Sequence, residues 1–109
     1  MTPDRLYEVL YKYAGSKGQL LNRDREFVLD IIKGLLRNEE RYGYRSCPCR
    51  LASGIKDRDA DIICPCVYKD PDIAEYGSCF CELYVSKEWN EGIIKHRPVP
   101  ERRPPDKQV

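Results

Sequence analysis

Three Cys-x-Cys pairs constrain this chain more than any other feature of its sequence. They stand at residues 47–49, 64–66 and 79–81 and account for all six cysteines of the 109-residue chain. Soft thiolate ligands concentrated in this way favour zinc, copper(I) or an iron–sulfur cluster. The spacing argues against structural zinc, because such sites usually use knuckles with two to four residues between the cysteines.

The single residue inside each pair also affects where the two sulfurs point. An extended Cys-x-Cys directs its side chains to opposite sides of the chain. Pro48 and Pro65 favour this geometry, because proline biases the preceding cysteine toward an extended conformation. One pair can therefore place one sulfur on a cluster and the other elsewhere. Four thiolates complete a cubane cluster and two remain for a redox disulfide, but the residues alone leave all fifteen choices of four from six open.

Composition limits the other classes of fold and partner. The chain has the length of one domain. Because 34% of its residues are charged, its hydrophobic core is expected to be small and to need further stabilisation. A net charge of +1 offers no bulk attraction to nucleic acid or membranes, and no apolar run reaches the roughly 18 residues that span a bilayer. Residues 1–15 lack the apolar core of a signal peptide. We therefore expect a cytoplasmic protein whose cysteines serve a metal or catalysis.

Two amphipathic helices are predicted before the first cysteine pair. Thr2 is expected to cap the first, with Pro3 at its first position. The apolar stripe of this helix is Leu6, Val9, Leu10 and Tyr13. Asn22 is expected to cap the second helix and Gly43 to end it. The stripe of the second helix is Phe27, Val28, Ile31, Ile32, Leu35 and Leu36.

Regular structure is predicted to be sparse in the rest of the chain. Short helices are expected over 58–63 and 71–76, the latter capped by Asp70, followed by an extended piece at 83–85. Residues 99–109 are rich in proline and charge and have no apolar periodicity. This tail is expected to lie on the surface or to be disordered.

The sequence around the cysteine pairs resembles the catalytic (beta) chain family of ferredoxin:thioredoxin reductase. The most specific matches are Cys-Pro-Cys-Arg at 47–50, Cys-Pro-Cys at 64–66 and Tyr-Gly-Ser-Cys-Phe-Cys-Glu-Leu-Tyr-Val-Ser at 76–86. The resemblance implies that a 4Fe–4S cluster is held by Cys47, Cys64, Cys66 and Cys79. It also implies that Cys49 and Cys81 form the active-site disulfide. In that assignment Cys49 attacks the substrate disulfide and Cys81 faces the cluster.

The same resemblance implies the fold and the activity. We expect a mainly α, small single domain of short helices and loops over 1–98, organised around the cluster, with a cysteine-rich segment at 44–86 and a tail at 99–109. The implied enzyme takes single electrons from ferredoxin or a similar carrier and reduces thioredoxin or a related protein. As a structural partner the resemblance leaves open a small variable subunit or a second copy of the chain. Nucleic acid and membrane are not expected partners.

The sequence also departs from the plant and cyanobacterial pattern of that family. Their third pair encloses a histidine where this chain has Phe80, and the spacings around the second pair differ. These departures predict a relative of bacterial or archaeal type. His96, the one histidine in the sequence, lies outside the motif, and a surface or packing role is expected for it.

Charged residues near the first pair suggest two roles. Arg45 and Arg50 flank the pair and are candidates for lowering the pKa of Cys49, since thiolate is the attacking species. A basic surface would also suit an acidic electron donor. The candidates for this surface are Arg41, Arg45, Arg50, Lys56, Arg58 and Lys69.

Three other functions compete with the reductase. A non-catalytic zinc-binding interaction module would use four of the cysteines. A simple iron–sulfur electron carrier would bind the cluster without disulfide chemistry. A disulfide-stapled secreted domain would require an export signal, which residues 1–15 do not provide.

Overall fold

Helices provide most of the regular structure in the computed structural model, which describes residues 1–108. Val109, the last residue of the predicted tail, lies outside the described residues. The four helices are α1 (Pro3–Ser16), α2 (Arg25–Tyr42), α3 (Lys69–Tyr76) and α4 (Lys87–Asn90). Two short strands, β1 (Leu20–Leu21) and β2 (Tyr84–Val85), and two 3₁₀ turns, Ala60–Ile62 and Pro105–Lys107, complete the elements. The prediction of a small, mainly α domain is confirmed.

Helix α1 begins as its sequence predicts. The Thr2 hydroxyl accepts a hydrogen bond from the Arg5 amide at 3.2 Å, and the helix starts at the following proline. Its buried face consists of Leu6, Leu10 and Ala14. Val9, predicted to belong to the apolar stripe, is 40% exposed, because it lies at the outer edge of the face that meets the core.

Helix α2 ends as predicted but begins at a different cap. Asp24, not Asn22, accepts the capping hydrogen bond from the Phe27 amide, at 3.1 Å. Asn22 instead accepts from the Asp24 amide at 2.9 Å and donates to the Glu82 carbonyl at 3.0 Å. The Asn22 prediction is wrong because this side chain ties the helix entry to the third cysteine pair. Gly43 ends the helix at φ +86°, a left-handed conformation that glycine adopts without steric cost.

The hydrophobic core lies between α1, α2 and the small sheet. Val28, Ile32 and Leu35 form the buried face of α2, while Phe27 is 36% exposed at its edge. Strands β1 and β2 pair antiparallel, with Leu20 opposite Val85 and Leu21 opposite Tyr84. This pairing fixes the segment after the third cysteine pair against the two long helices.

The elements of the cysteine-rich segment differ in their limits from the prediction. Helix α3 begins at Lys69 and has Tyr68 at its N-cap, so Asp70 lies in the first turn and is not the cap. Its carboxylate instead accepts from the Lys69 ammonium at 2.6 Å and from the Gln19 amide at 3.1 Å. The helix predicted over 58–63 is a 3₁₀ turn over Ala60–Ile62. The extended piece predicted at 83–85 is strand β2.

The described part of the tail, residues 99–108, packs against the domain. Val99 and Arg103 are buried. Arg103 donates to the Asp61 carboxylate at 2.8 Å and Arg102 to that of Asp72, also at 2.8 Å. The boundary at residue 98 remains a prediction. None of the helices within residues 1–108 combines the length and apolar character that a bilayer crossing requires.

Candidate metal and thiol site

Backbone hydrogen bonds bring the three cysteine pairs together. The Cys47 amide donates to the Ile62 carbonyl and the Cys64 amide to the Arg45 carbonyl, both at 2.8 Å, which aligns the first two pairs. The Cys79 amide donates to the Tyr84 carbonyl at 2.9 Å and so closes the turn that carries the third pair. Segments far apart in sequence therefore deliver their thiols to one place.

Five of the six cysteines line one cavity. The cysteines that line it are Cys47, Cys64, Cys66, Cys79 and Cys81. Its other walls are mainly apolar or cationic and include Ile31, Pro48, Phe80, Leu83, Tyr84, Arg50 and Lys69. The sixth cysteine, Cys49, is exposed and lines a separate opening with Leu51, Glu101, Arg103 and Gln108.

One short contact between thiols joins a predicted cluster ligand to a predicted redox cysteine. The Cys47 and Cys81 sulfurs lie 2.8 Å apart, and with Cys49 they form a group whose sulfurs all lie within 4.8 Å of one another. This group could hold a metal ion. All six cysteines are free thiols in the described chain.

The environments of the thiols differ according to burial and neighbours. Burial raises the pKa of Cys64 well above its ordinary value and that of Cys79 to about 11. Burial also raises the pKa of Cys66, although the Arg50 charge acts in the opposite direction. These raised pKa values favour the protonated thiols. A bound cation would favour the thiolates instead, because a coordinating thiol is deprotonated. The deep thiols therefore suit a soft metal centre.

Cys49 differs from the buried thiols. Hydrogen bonds from the Cys47 and Cys81 thiols lower the pKa of Cys49 to about 4, and the Arg50 charge contributes in the same direction. Hydrogen bonds with the Cys47 and Cys49 thiols, together with burial, raise the pKa of Cys81. Arg45 and Arg50 are the residues that the sequence predicts to lower the pKa of Cys49. Arg50 contributes, but neighbouring thiols dominate, and Arg45 pairs with Glu39 at 3.3 Å.

Arg50 connects the cavity to the C-terminal tail. Its guanidinium donates to both carboxylate oxygens of Glu101 at 2.8–3.0 Å and to the Cys66 sulfur at 3.5 Å. It also lies over the Phe80 ring, 4.4 Å from the centroid, and over the Tyr68 ring at 5.2 Å. Glu101 cannot be predicted from the sequence, since a glutamate in a charge-rich tail gives no local sign of its distant partner.

Lys69 occupies a similar position on another wall. Its ammonium donates to Gln19 at 2.7 Å and to Asp70 at 2.6 Å, and it lies 5.3 Å from the ring centroids of Tyr13 and Tyr84. The Tyr84 hydroxyl is buried without a hydrogen-bond partner among residues 1–108. Arg50 and Lys69 are both buried, so they are wrong as members of the predicted basic docking surface. Both residues line the cavity instead.

His96 lies outside the thiol site. Its ring is stacked on Trp89 at a centroid distance of 3.6 Å, and Nε2 contacts the Trp89 carbonyl at 2.7 Å. Neither ring lines the cavity. A packing role agrees with these contacts.

Comparisons with known proteins identify two similar catalytic chains. The chain is 31% identical over 81 residues to "Ferredoxin-thioredoxin reductase, catalytic chain" of Porphyra purpurea, which covers 70% of this chain and 63% of the relative. The protein of the same name from Pyropia yezoensis is also 31% identical over 81 residues, covering 70% of this chain and 64% of the relative. The chain thus spans less than two thirds of either relative's length. Both are from red algae, and the bacterial or archaeal type inferred from Phe80 stays a prediction.

A family model covers more of the chain than these pairwise alignments. The model described as "Ferredoxin thioredoxin reductase catalytic beta chain" matches residues 3–101. This range includes both long helices, all three Cys-x-Cys pairs and Glu101. On that match, the chain belongs to the ferredoxin thioredoxin reductase catalytic beta chain family.

Proposed function

We propose that this chain is an iron–sulfur disulfide reductase. It takes single electrons from ferredoxin or a similar carrier and reduces the disulfide of thioredoxin or a related protein through Cys49 and Cys81. The observation that carries the proposal is the distribution of the thiols: five surround one cavity, and Cys49 is exposed outside it with its sulfur within 4.8 Å of Cys81. The names of the relatives support the donor and acceptor classes.

The residues of the cavity fit a cluster. Cys47, Cys64, Cys66 and Cys79 would hold a 4Fe–4S cluster, for which four thiolates are the usual ligand set. Such a cluster carries negative charge, and the two buried cations on the walls, Arg50 and Lys69, would compensate it. The Tyr84 amide donates to the Cys79 sulfur at 3.4 Å, a contact that would stabilise a thiolate ligand. When bound, the cluster would supply one electron at a time, and reduction of a disulfide needs two such transfers.

The two remaining cysteines have the positions that disulfide exchange requires. Exposed Cys49, as thiolate, attacks one sulfur of the target disulfide, forms a mixed disulfide and releases one target thiolate. Buried Cys81 then gives its proton to the released target thiolate and attacks the Cys49 sulfur. This step releases the second target thiolate and leaves a Cys49–Cys81 disulfide. Two electrons from the donor and two protons from solvent restore both thiols, so the cycle balances.

One observation favours a second candidate, a non-catalytic zinc-binding module. Cys47, Cys49 and Cys81 form a compact group that could supply three of the four ligands of a tetrahedral zinc ion. Such a site would take both proposed redox cysteines out of disulfide chemistry. It would also leave the cavity thiols Cys64, Cys66 and Cys79 without a role.

Metal analysis separates these candidates. Protein purified without oxygen and without reconstitution should contain about four iron and four sulfide per chain. Stoichiometric zinc in active protein would contradict the cluster. A cluster without turnover of any disulfide substrate would favour the simple electron carrier.

Single substitutions then test the division of the cysteines. Cys49→Ser and Cys81→Ser should both keep their iron, because neither residue is a proposed ligand. Cys81→Ser should trap a mixed disulfide with a thioredoxin-like acceptor on non-reducing electrophoresis, because Cys49 can still attack. Cys49→Ser should trap none. Loss of iron from either variant would show that the substituted cysteine is a ligand, and the reverse trapping pattern would exchange the two roles.

A further inference from the structure

We propose that Arg50 raises the reduction potential of the cluster by hydrogen bonding to the Cys66 sulfur, and that Glu101 of the C-terminal tail holds Arg50 in that position. The inference rests on the proposed function, because it takes Cys66 as a cluster ligand. It assigns Arg50 and Glu101 as positioning residues that act through Cys66. Neither needs to contact a substrate.

The contacts of Arg50 leave its guanidinium little freedom to move. Nη1 points to the Cys66 sulfur at 3.5 Å, while Nε and Nη2 engage the Glu101 carboxylate. The Phe80 and Tyr68 rings lie within 4.4 and 5.2 Å of its central carbon. The side chain is 2% exposed, so the charge is retained in a medium of low dielectric, where its influence is stronger than at a wet surface.

The sign of the effect follows from charge. Reduction adds one negative charge to a thiolate-ligated cluster, so a fixed cation nearby stabilises the reduced state more than the oxidised state. Hydrogen bonds to the ligand sulfurs act in the same direction, and both are known determinants of cluster potential. Arg50 supplies both to Cys66. Its loss should therefore lower the potential.

Glu101 has two opposing influences on this arrangement. Its carboxylate fixes the guanidinium through a bidentate contact and is itself fixed by the Arg103 amide, which donates to it at 2.9 Å. Its negative charge also offsets part of the Arg50 charge. A glutamine at this position would keep an oxygen acceptor but remove the negative charge. Glu101→Gln should therefore raise the potential, opposite to the loss of Arg50.

Lys69 shows why the effect is assigned to Arg50. Both cations line the cavity, but the Lys69 ammonium is directed to Gln19, Asp70 and two aromatic rings. Arg50 has a hydrogen bond to sulfur. The planar guanidinium can also serve a carboxylate and a thiolate at once, which a lysine ammonium cannot do with the same geometry.

The test is a redox titration of anaerobically purified holoprotein, with iron and sulfide measured for every sample. Arg50→Gln should shift the reduced-to-oxidised ratio at the wild-type midpoint about tenfold toward oxidised, which is 59 mV for one electron. Arg50→Lys should fall between this variant and wild type, and Glu101→Gln should shift the opposite way. Arg45→Gln is the matched control, since it also removes a cation beside the first cysteine pair. Arg45 pairs with half-exposed Glu39 and not with a cysteine. The control should leave the potential unchanged.

The outcomes distinguish this inference from the proposed function. If Arg50→Gln keeps its full iron content and has the same reduction potential as the Arg45→Gln control, the inference is overturned. The proposed reductase function is then unaffected. If Arg50→Gln does not assemble, Arg50→Lys decides, and a potential equal to that of the wild type in this variant would overturn the inference. Wild-type protein without iron would overturn the proposed function, and the inference with it.

Discussion

The helical half (residues 3–42) and the cysteine-rich segment (44–86) differ in what each adds to the hydrophobic core that they share. In the helical half, apolar faces of α1 and α2 meet, and Leu6, Val28 and Ile32 are fully buried. Its surface ion pairs, such as Arg5 with Glu8 at 3.4 Å, are exposed and contribute little. This half derives its stability from hydrophobic burial, which does not depend on charge state or ligand.

The cysteine-rich segment adds buried polar groups to the shared core. Asp59 accepts from the Tyr44 hydroxyl at 2.5 Å and from the Ser53 amide at 2.9 Å. Asp61 accepts from the Tyr68 hydroxyl at 2.7 Å and from Arg103 at 2.8 Å. These contacts replace the regular hydrogen bonds that a segment with little helix or strand lacks. The comparison implies that this segment responds to metal, charge and pH, whereas the helical half does not.

Metal removal should give the largest difference between the two regions. Structural metal sites can contribute about 10 kcal/mol or more to folding, and the proposed cluster ligands all lie in the cysteine-rich segment. Chelation under reducing conditions should abolish amide protection there and leave α1 and α2 largely protected. Hydrogen exchange read by mass spectrometry checks this. Equal loss in both regions would show a single cooperative unit and break the comparison.

Removal of Arg103 should have the next largest effect. Arg103→Met leaves the buried Asp61 carboxylate without its cation, and breaking a buried pair costs about 3–5 kcal/mol. Arg5→Met, in the helical half, breaks the exposed pair with Glu8 and should cost less than about 1 kcal/mol. Urea unfolding of the two holoprotein variants measures both. Similar costs would remove the distinction drawn between buried and surface charge.

The sequence predicted the helical half better than the cysteine-rich segment for the same physical reason. Thr2, Gly43 and most of the apolar stripes act over a few residues, so their pattern is visible locally. Asn22 was misassigned because it and Asp24 are both capping residues, and a contact to Glu82 decides between them. The Arg50–Glu101 pair joins positions 51 residues apart, and nothing local indicates it.

The candidate site shows the same limit. Cysteine spacing predicted that the thiols converge, and the structure places five around one cavity. Cysteine spacing did not predict which four cysteines bind a metal. The division into four ligands and two redox cysteines, taken from the family resemblance, remains a proposal. Arg50 and Lys69 were assigned to the surface because a charged side chain is usually exposed. Their aromatic and carboxylate partners, which allow burial, come from distant parts of the chain.

Acid should weaken the cysteine-rich segment before the helical half. Burial would by itself raise the pKa of Asp59, but hydrogen bonds from Tyr44 and Ser53 outweigh it and hold this pKa below its ordinary value. A lowered folded pKa gives stability that is present above the unfolded value of about 3.9 and is lost as pH falls through the folded pKa.

Asp59→Asn isolates this contribution in a pairwise comparison. The stability difference between wild type and the variant, measured by urea unfolding from pH 6 downward, should shrink as pH falls below about 4. Metal loss in acid affects both proteins and cancels in the difference. A difference that stays constant with pH would mean that the Asp59 charge does not stabilise the fold.

The smallest expected effect concerns Gly34, where the two regions touch. A Cβ at Gly34 in α2 would lie 2.8 Å from the Pro48 Cβ in the first cysteine pair, whereas a Cβ at Gly15 in α1 would meet nothing within 4 Å. Alanine improves helix propensity by up to about 1 kcal/mol at either site, so Gly15→Ala should stabilise the protein. Gly34→Ala must also displace Pro48, and overpacking costs about 1–3 kcal/mol, so it should be neutral or destabilising by up to about 2 kcal/mol. Urea unfolding compares the two variants, and the alkylation rate of Cys49 reports movement of the pair. If Gly34→Ala stabilises as much as Gly15→Ala and leaves that rate unchanged, α2 does not fix the first pair through this contact.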